Sequence, residues 1–142
     1  MKKLDNNATL SARRHSRVKE CVTASTDSID FLYPIHQKDS VCVESFVSYT
    51  GNKSMEIFCK VIAEDMITGE RRMAATAFLT FVALDENKNP MKVPDIEPVT
   101  EEEKFLYESG KERADMRRNR RKHSKELTEI IGLEKPWEKG WK

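Results

Sequence analysis

The chain has 142 residues, a formal net charge of +1 and 35 % charged residues, against about 25 % in an ordinary globular domain, so both signs are present in bulk. No stretch approaches the ~18 consecutive apolar residues of a membrane-spanning helix, and Met1-Lys2-Lys3-Leu4-Asp5 is not followed by the apolar run of a secretory signal. Cys21, Cys42 and Cys59 are an odd set without a Cys-x-x-Cys pair; this argues against a disulfide framework or a zinc site and for a reducing, cytoplasmic setting without a metal.

Residues 1 to 16 read as a helix. Met1, Leu4, Ala8, Ala12 and His15 recur at three- and four-residue spacing, a thin apolar stripe with no N-cap before it. Four β-prone runs follow, at Cys21 to Leu32, Val41 to Thr50, Ser54 to Glu64 and Arg71 to Leu84. In the second, Val41, Val43, Ser45, Val47 and Tyr49 alternate against Cys42, Glu44, Phe46, Ser48 and Thr50. Gly51-Asn52-Lys53 and the stretch around Gly69 are short turns that suit antiparallel hairpins. Pro90, Pro94 and Pro98 fall within nine residues and forbid a helix or a central strand, which makes an extended connector.

From Thr100 to Lys142, 22 of 43 residues are charged, 12 basic and 10 acidic, about twice the density of the first 99. Thr100-Glu101-Glu102-Glu103 is a capping box, and a helix is predicted over 101–131. The expected organisation is therefore an α+β domain over 1–90, a connector over 91–100 and a charged helical extension over 101–142.

Four stretches resemble one family in order and spacing: Val22-Thr23-Ala24-Ser25-Thr26-Asp27-Ser28-Ile29-Asp30-Phe31-Leu32-Tyr33-Pro34-Ile35, Gly51-Asn52-Lys53-Ser54-Met55-Glu56, Glu64-Asp65-Met66-Ile67-Thr68-Gly69-Glu70-Arg71, and Ala77-Phe78-Leu79-Thr80-Phe81-Val82-Ala83-Leu84-Asp85. Together they look like the hotdog-fold acyl-CoA thioesterases of the bacterial acyl-CoA hydrolase type. The resemblance implies an antiparallel sheet wrapped round a central helix. It also implies edge-to-edge dimers that assemble as trimers of dimers, and hydrolysis of a fatty acyl-CoA to free fatty acid and CoA, with no cofactor.

Carried over residue by residue, the resemblance makes Asp5, in Met1-Lys2-Lys3-Leu4-Asp5, the general base or the nucleophile, two roles the sequence does not separate. Thr23 matches a threonine near the scissile carbonyl, where a hydroxyl holds the water or donates to the thioester oxygen. Gly51, Lys53 and Ser54 match a turn that contacts CoA, and Arg17, with Arg13 and Arg14 before it, is a candidate partner for its phosphates. Without the resemblance, Asp5 reads as a solvated first-turn aspartate and Thr23 as a packing residue of a strand.

The family's preceding strand and Asn-x-x-Gly…Phe-Gly-Gly segment have no counterpart here. That difference implies a fragment or an internal start, with weak activity and an uncovered sheet edge as the expectation. Two other functions compete. One is an acyl-CoA-binding protein without turnover. The other is a nucleic-acid module built on Asp115-Met116-Arg117-Arg118-Asn119-Arg120-Arg121-Lys122-His123-Ser124-Lys125, six basic residues in eleven. The acidic residues on either side of that run favour a mixed-charge helix that binds no nucleic acid and packs on a neighbouring subunit, with Trp137 and Trp141 as possible anchors.

Overall fold

A computed structural model describes residues 2–139; Met1 and Trp141, both invoked above, lie outside them. The elements in order are α1 (Lys2–Ser16), β1 (Glu20–Phe31), β2 (Asp39–Thr50), β3 (Ser54–Asp65), β4 (Arg71–Leu84), α2 (Glu101–Glu108) and α3 (Gly110–Ile130), then a 3-10 turn over Pro136–Lys139. The four strands form one antiparallel sheet in the order β1-β4-β3-β2. Tight turns close β2–β3 and β3–β4, as the sequence predicts. The pairing of β1 with β4, across the whole sheet in sequence, carries no local signal.

α1 lies on one face of the sheet. Leu4, Ala8, Ala12 and Ser16 are its buried stripe, and the two alanines are fully covered. Small side chains let the helix backbone approach the sheet closely, and the sheet answers with Ala63, Ala75, Ala77 and Ala83. The larger core residues are Met55, Ile57, Leu79 and Phe81, all buried. Each contributes about 1.5–3 kcal/mol of apolar transfer. α1 is also tied to β2 by polar bonds: Asn7 Nδ2 donates to Val43 O at 3.2 Å, and the Ser11 and Ser45 hydroxyls meet at 2.6 Å.

Simple alternation fails once in β2. A bulge between Val47 and Tyr49 adds a residue to that strand, so Val47 pairs with Ile57 on the α1 face while Tyr49 pairs with Glu56 on the other. Tyr49 thereby meets Tyr107 of α2, ring centroids 5.7 Å apart. The outer face also carries the row Phe46, Phe58, Phe78, with centroids 5.5 and 5.1 Å apart.

The predicted helix over 101–131 is two helices, divided at Ser109 before Gly110, a residue of low helix propensity. Two compact units result, Met1–Glu108 and Ser109–Lys142. The division between these compact units falls after α2, so the connector and α2 pack with the sheet. The reason is local stitching. Met91 N–H donates to Ala83 O at 2.9 Å and Val93 is 1 % exposed in the core. The Lys60 ammonium of β3 reaches Glu44 at 3.3 Å and Glu102 of α2 at 3.2 Å. The second unit is α3 and the turn after it. In it Arg118, Arg121, Lys122 and Lys125 share one helical face. Trp137 is largely exposed, with Lys135 Nζ 5.5 Å from its ring, so it does not act as a buried anchor within the chain.

Candidate functional site

Asp5 stands in the first turn of α1, half-buried, and Thr23 stands near the start of β1, exposed. The fold brings them together: the Thr23 hydroxyl donates to Asp5 Oδ1 at 2.9 Å. Thr23 pairs with Phe81, whose side chain lies in the core under α1, so the threonine belongs to the helix-covered face. The backbone of Asp5 is held as well, because Thr9 Oγ1 donates to its carbonyl at 2.7 Å. The carboxylate is thus presented on a fixed helical turn, beside a hydroxyl and within reach of solvent.

Below it lies Cys59 of β3, fully buried. Burial, and secondarily the negative charge of Asp5, push its thiol up to about 11. Cys59 is therefore a neutral packing group and a poor nucleophile. This agrees with reading the cysteines as core residues, except that Cys42 is exposed on edge strand β2.

An apolar groove of about 500 Å³ opens toward the other end of β1 from Thr23, where Phe31 pairs with Ala75. Lys3 and Leu4 immediately precede Asp5 and form part of its wall. Opposite stand Phe31, Leu32, Tyr33 and Ile35, with Val41 and Val43 from β2. Phe31 is 82 % exposed, so this wall is open to solvent within one chain. Sequence reasoning missed the groove. The available signal was the concentration of large apolar residues in Phe31-Leu32-Tyr33-Pro34-Ile35, just past the strand that carries Thr23.

Gly51, Lys53 and Ser54 form the β2–β3 turn, closed by Gly51 N–H donating to Ser54 O at 2.9 Å. Glycine suits this place, since a Cβ on residue 51 would stand 2.8 Å from Ser54 Oγ. Register locates the turn: Val22 and Ser54 both pair with Val82. Their backbones are two strand spacings apart, about 10 Å. The turn therefore lies at the same end of the sheet as Thr23.

Arg17 is not gathered with them. It ends α1 in the left-handed region (φ 58°), its N–H donating to Arg13 O at 2.9 Å. It lines a separate polar hollow with Arg14, His15, Asp95, Glu97 and Glu103. Arg13 is committed elsewhere, donating to Lys19 O at 2.9 Å. No group of three or more His, Cys, Asp or Glu side chains arranged to hold a metal occurs among the described residues, and no described helix is long and apolar enough to cross a membrane.

Comparison with known proteins bears on this arrangement directly. The family model described as thioesterase superfamily matches residues 1–70. The chain is 55 % identical over 137 residues to the uncharacterized acyl-CoA thioester hydrolase YkhA of Bacillus subtilis, covering 96 % of this chain and 79 % of that protein. Among solved structures, an acyl-CoA hydrolase from Bacillus cereus superposes with a TM-score of 0.88 at 48 % identity, over 93 % of this chain and 80 % of that one. The acyl-CoA hydrolase of Staphylococcus aureus, solved in complex with butyryl coenzyme A, coenzyme A and coenzyme A disulfide, gives 0.86 at 38 % identity, over 91 % and 78 %. A hexameric acyl-CoA thioesterase gives 0.80 at 42 % identity, over 84 % and 76 %. Structures of the S. aureus hydrolase include alanine replacements of one threonine, one asparagine and one aspartate. The chain belongs to the thioesterase superfamily, among the hotdog-fold bacterial acyl-CoA hydrolases.

Proposed function

We propose that this protein hydrolyses the thioester of a fatty acyl-CoA, releasing free fatty acid and CoA, with Asp5 and Thr23 as its catalytic pair. The observation that carries the reading is the hydrogen bond between Thr23 and the Asp5 carboxylate. Its supports are the names of the relatives and the alanine variants of an aspartate and a threonine made in the S. aureus hydrolase.

Thr23 engages one carboxylate oxygen, which leaves the other for a water molecule. Asp5 then acts as general base, taking a proton from that water as its oxygen attacks the carbonyl carbon. Collapse of the tetrahedral intermediate expels the CoA thiolate, which receives the proton. The apolar groove takes the acyl chain, its aliphatic and aromatic lining suiting a fatty chain. The turn Gly51–Ser54 takes the CoA portion, with Lys53 supplying the cation for a phosphate. Arg17 is the weakest of these assignments, because Asp95, Glu97 and Glu103 line the same hollow and repel a phosphate. The assembly is a homo-oligomer of dimers, and the working compartment is the cytoplasm.

The direct test measures CoA released from butyryl-CoA and palmitoyl-CoA by the full chain and by Asp5→Ala. The wild-type chain is expected to hydrolyse palmitoyl-CoA, and the variant to lose at least about 10²-fold in kcat. A near-wild-type rate for the variant removes Asp5 from the chemistry. Tight acyl-CoA binding without CoA release from either protein replaces the enzyme by a binding protein.

A further inference from the structure

The connector after β4 is bound down at three places within five residues. Pro90 forms a bridge with Leu84, and Met91 N–H donates to Ala83 O at 2.9 Å. Val93 N–H donates to Asn52 O at 3.1 Å, while its side chain, 1 % exposed, sits in the core. Pro94 O lies 2.7 Å from His15 Nε2, at the end of α1.

One of these partners is the tip of the β2–β3 turn. The turn residues Asn52 and Lys53 are exposed. Within the turn itself the backbone bond is Gly51 N–H to Ser54 O. A three-residue loop held only by its own closing bond retains much of its backbone freedom, and a ligand that requires one conformation must then offset that entropy on binding. The bond from Val93 fixes the Asn52 carbonyl between Gly51 and Lys53. The buried Val93 side chain fixes Val93 in turn.

We propose that Val93 is a positioning residue: by locking Asn52 it sets the conformation of the Gly51–Ser54 turn for the nucleotide-bearing part of CoA. The His15–Pro94 contact is a second hold on the same brace. Its effect is on recognition of the CoA portion, with the Asp5–Thr23 chemistry untouched. This rests on the reading of that turn as the CoA contact.

The experiment compares two substrates in the full chain: an acyl-CoA, and the same acyl thioester of pantetheine, which lacks the nucleotide. Val93→Ala is expected to raise KM for the acyl-CoA about fivefold, with kcat and all constants for the pantetheine thioester within about twofold. His15→Ala loosens the brace without opening the core. It is expected to shift KM in the same direction by less, and it serves as the readout if Val93→Ala does not fold. Equal losses on both substrates would make Val93 an ordinary core residue and overturn the proposal, as would unchanged constants in both variants. Lys53→Ala separates the two readings. If it leaves KM for the acyl-CoA unchanged, the turn is not the CoA contact and the brace falls with it. If it raises KM while Val93→Ala and His15→Ala do not, the brace alone is rejected.

Discussion

Thr23 shows how one hydrogen bond can organise a carboxylate. Its Oγ1 is the donor, 2.9 Å from Asp5 Oδ1, so it orients the group and leaves the second oxygen for water. Thr23→Val keeps the β-branched shape and removes only the donor. It is expected to lower kcat by about tenfold or more while the melting temperature stays near wild type. Thr23→Ser, which restores the hydroxyl, is expected to recover most of the rate. If Thr23→Val retains full kcat in a CoA-release assay, the threonine serves packing alone. Cys59, buried nearby, illustrates the opposite outcome: desolvation first and the Asp5 charge second keep its thiol protonated.

At the scale of elements, α2 is built from its ends inward. Glu103 N–H donates to Thr100 Oγ1 at 3.1 Å. The Glu103 carboxylate accepts from Thr100 N–H at 3.1 Å and from Val99 N–H at 2.7 Å. The bond from Val99, then that from Thr100, holds the Glu103 carboxyl below the usual glutamate range. A depressed carboxyl stabilises the fold above its ordinary value, and that contribution is lost as pH falls through the lower folded value. Amide protection factors at the start of α2, taken relative to intrinsic rates, are therefore expected to fall on acidification below the ordinary glutamate range, and Glu103→Ala to abolish that pH dependence. Equal acid sensitivity in the variant would assign it elsewhere. Lys60 fastens the same helix to β3 with the opposite sign. Burial lowers its ammonium, but the hydrogen bonds and charges of Glu102 and Glu44 outweigh it and raise the group. That tie is present at and below the ordinary lysine range and is lost only as pH rises through the raised value.

For the whole molecule, one group of exposed large apolar residues is contiguous. Phe31, Leu32, Tyr33 and Ile35, between 50 and 82 % exposed, form one wall of the groove at the end of edge strand β1. Edge strands and open apolar walls invite partners, and hexameric thioesterases are among the structural neighbours. Light scattering on the purified chain is expected to give the mass of a dimer or a trimer of dimers, and Phe31→Asp to shift it toward smaller species. A monodisperse monomer for the wild-type chain would overturn the oligomer.

What the sequence alone determines is local. The repeat of Leu4, Ala8 and Ala12, the β-prone runs bounded by Gly51 and Gly69, and the Thr100–Glu103 box each act through neighbours within a few residues. Their elements begin where expected to within two residues, although the helix expected over 101–131 is divided at Ser109. Asp5 and Thr23 are legible as site residues only through resemblance, and their contact only from the structure, because they are 18 positions apart and nothing local links them. Tertiary structure decided that β1 runs beside β4, that a bulge turns Tyr49 to the outer face, that α2 belongs with the sheet, and that Phe31-Leu32-Tyr33 lines a groove. All four depend on strand register and long-range packing. Those contacts are selected by the burial of the whole α1–sheet core, and local propensity carries no record of them.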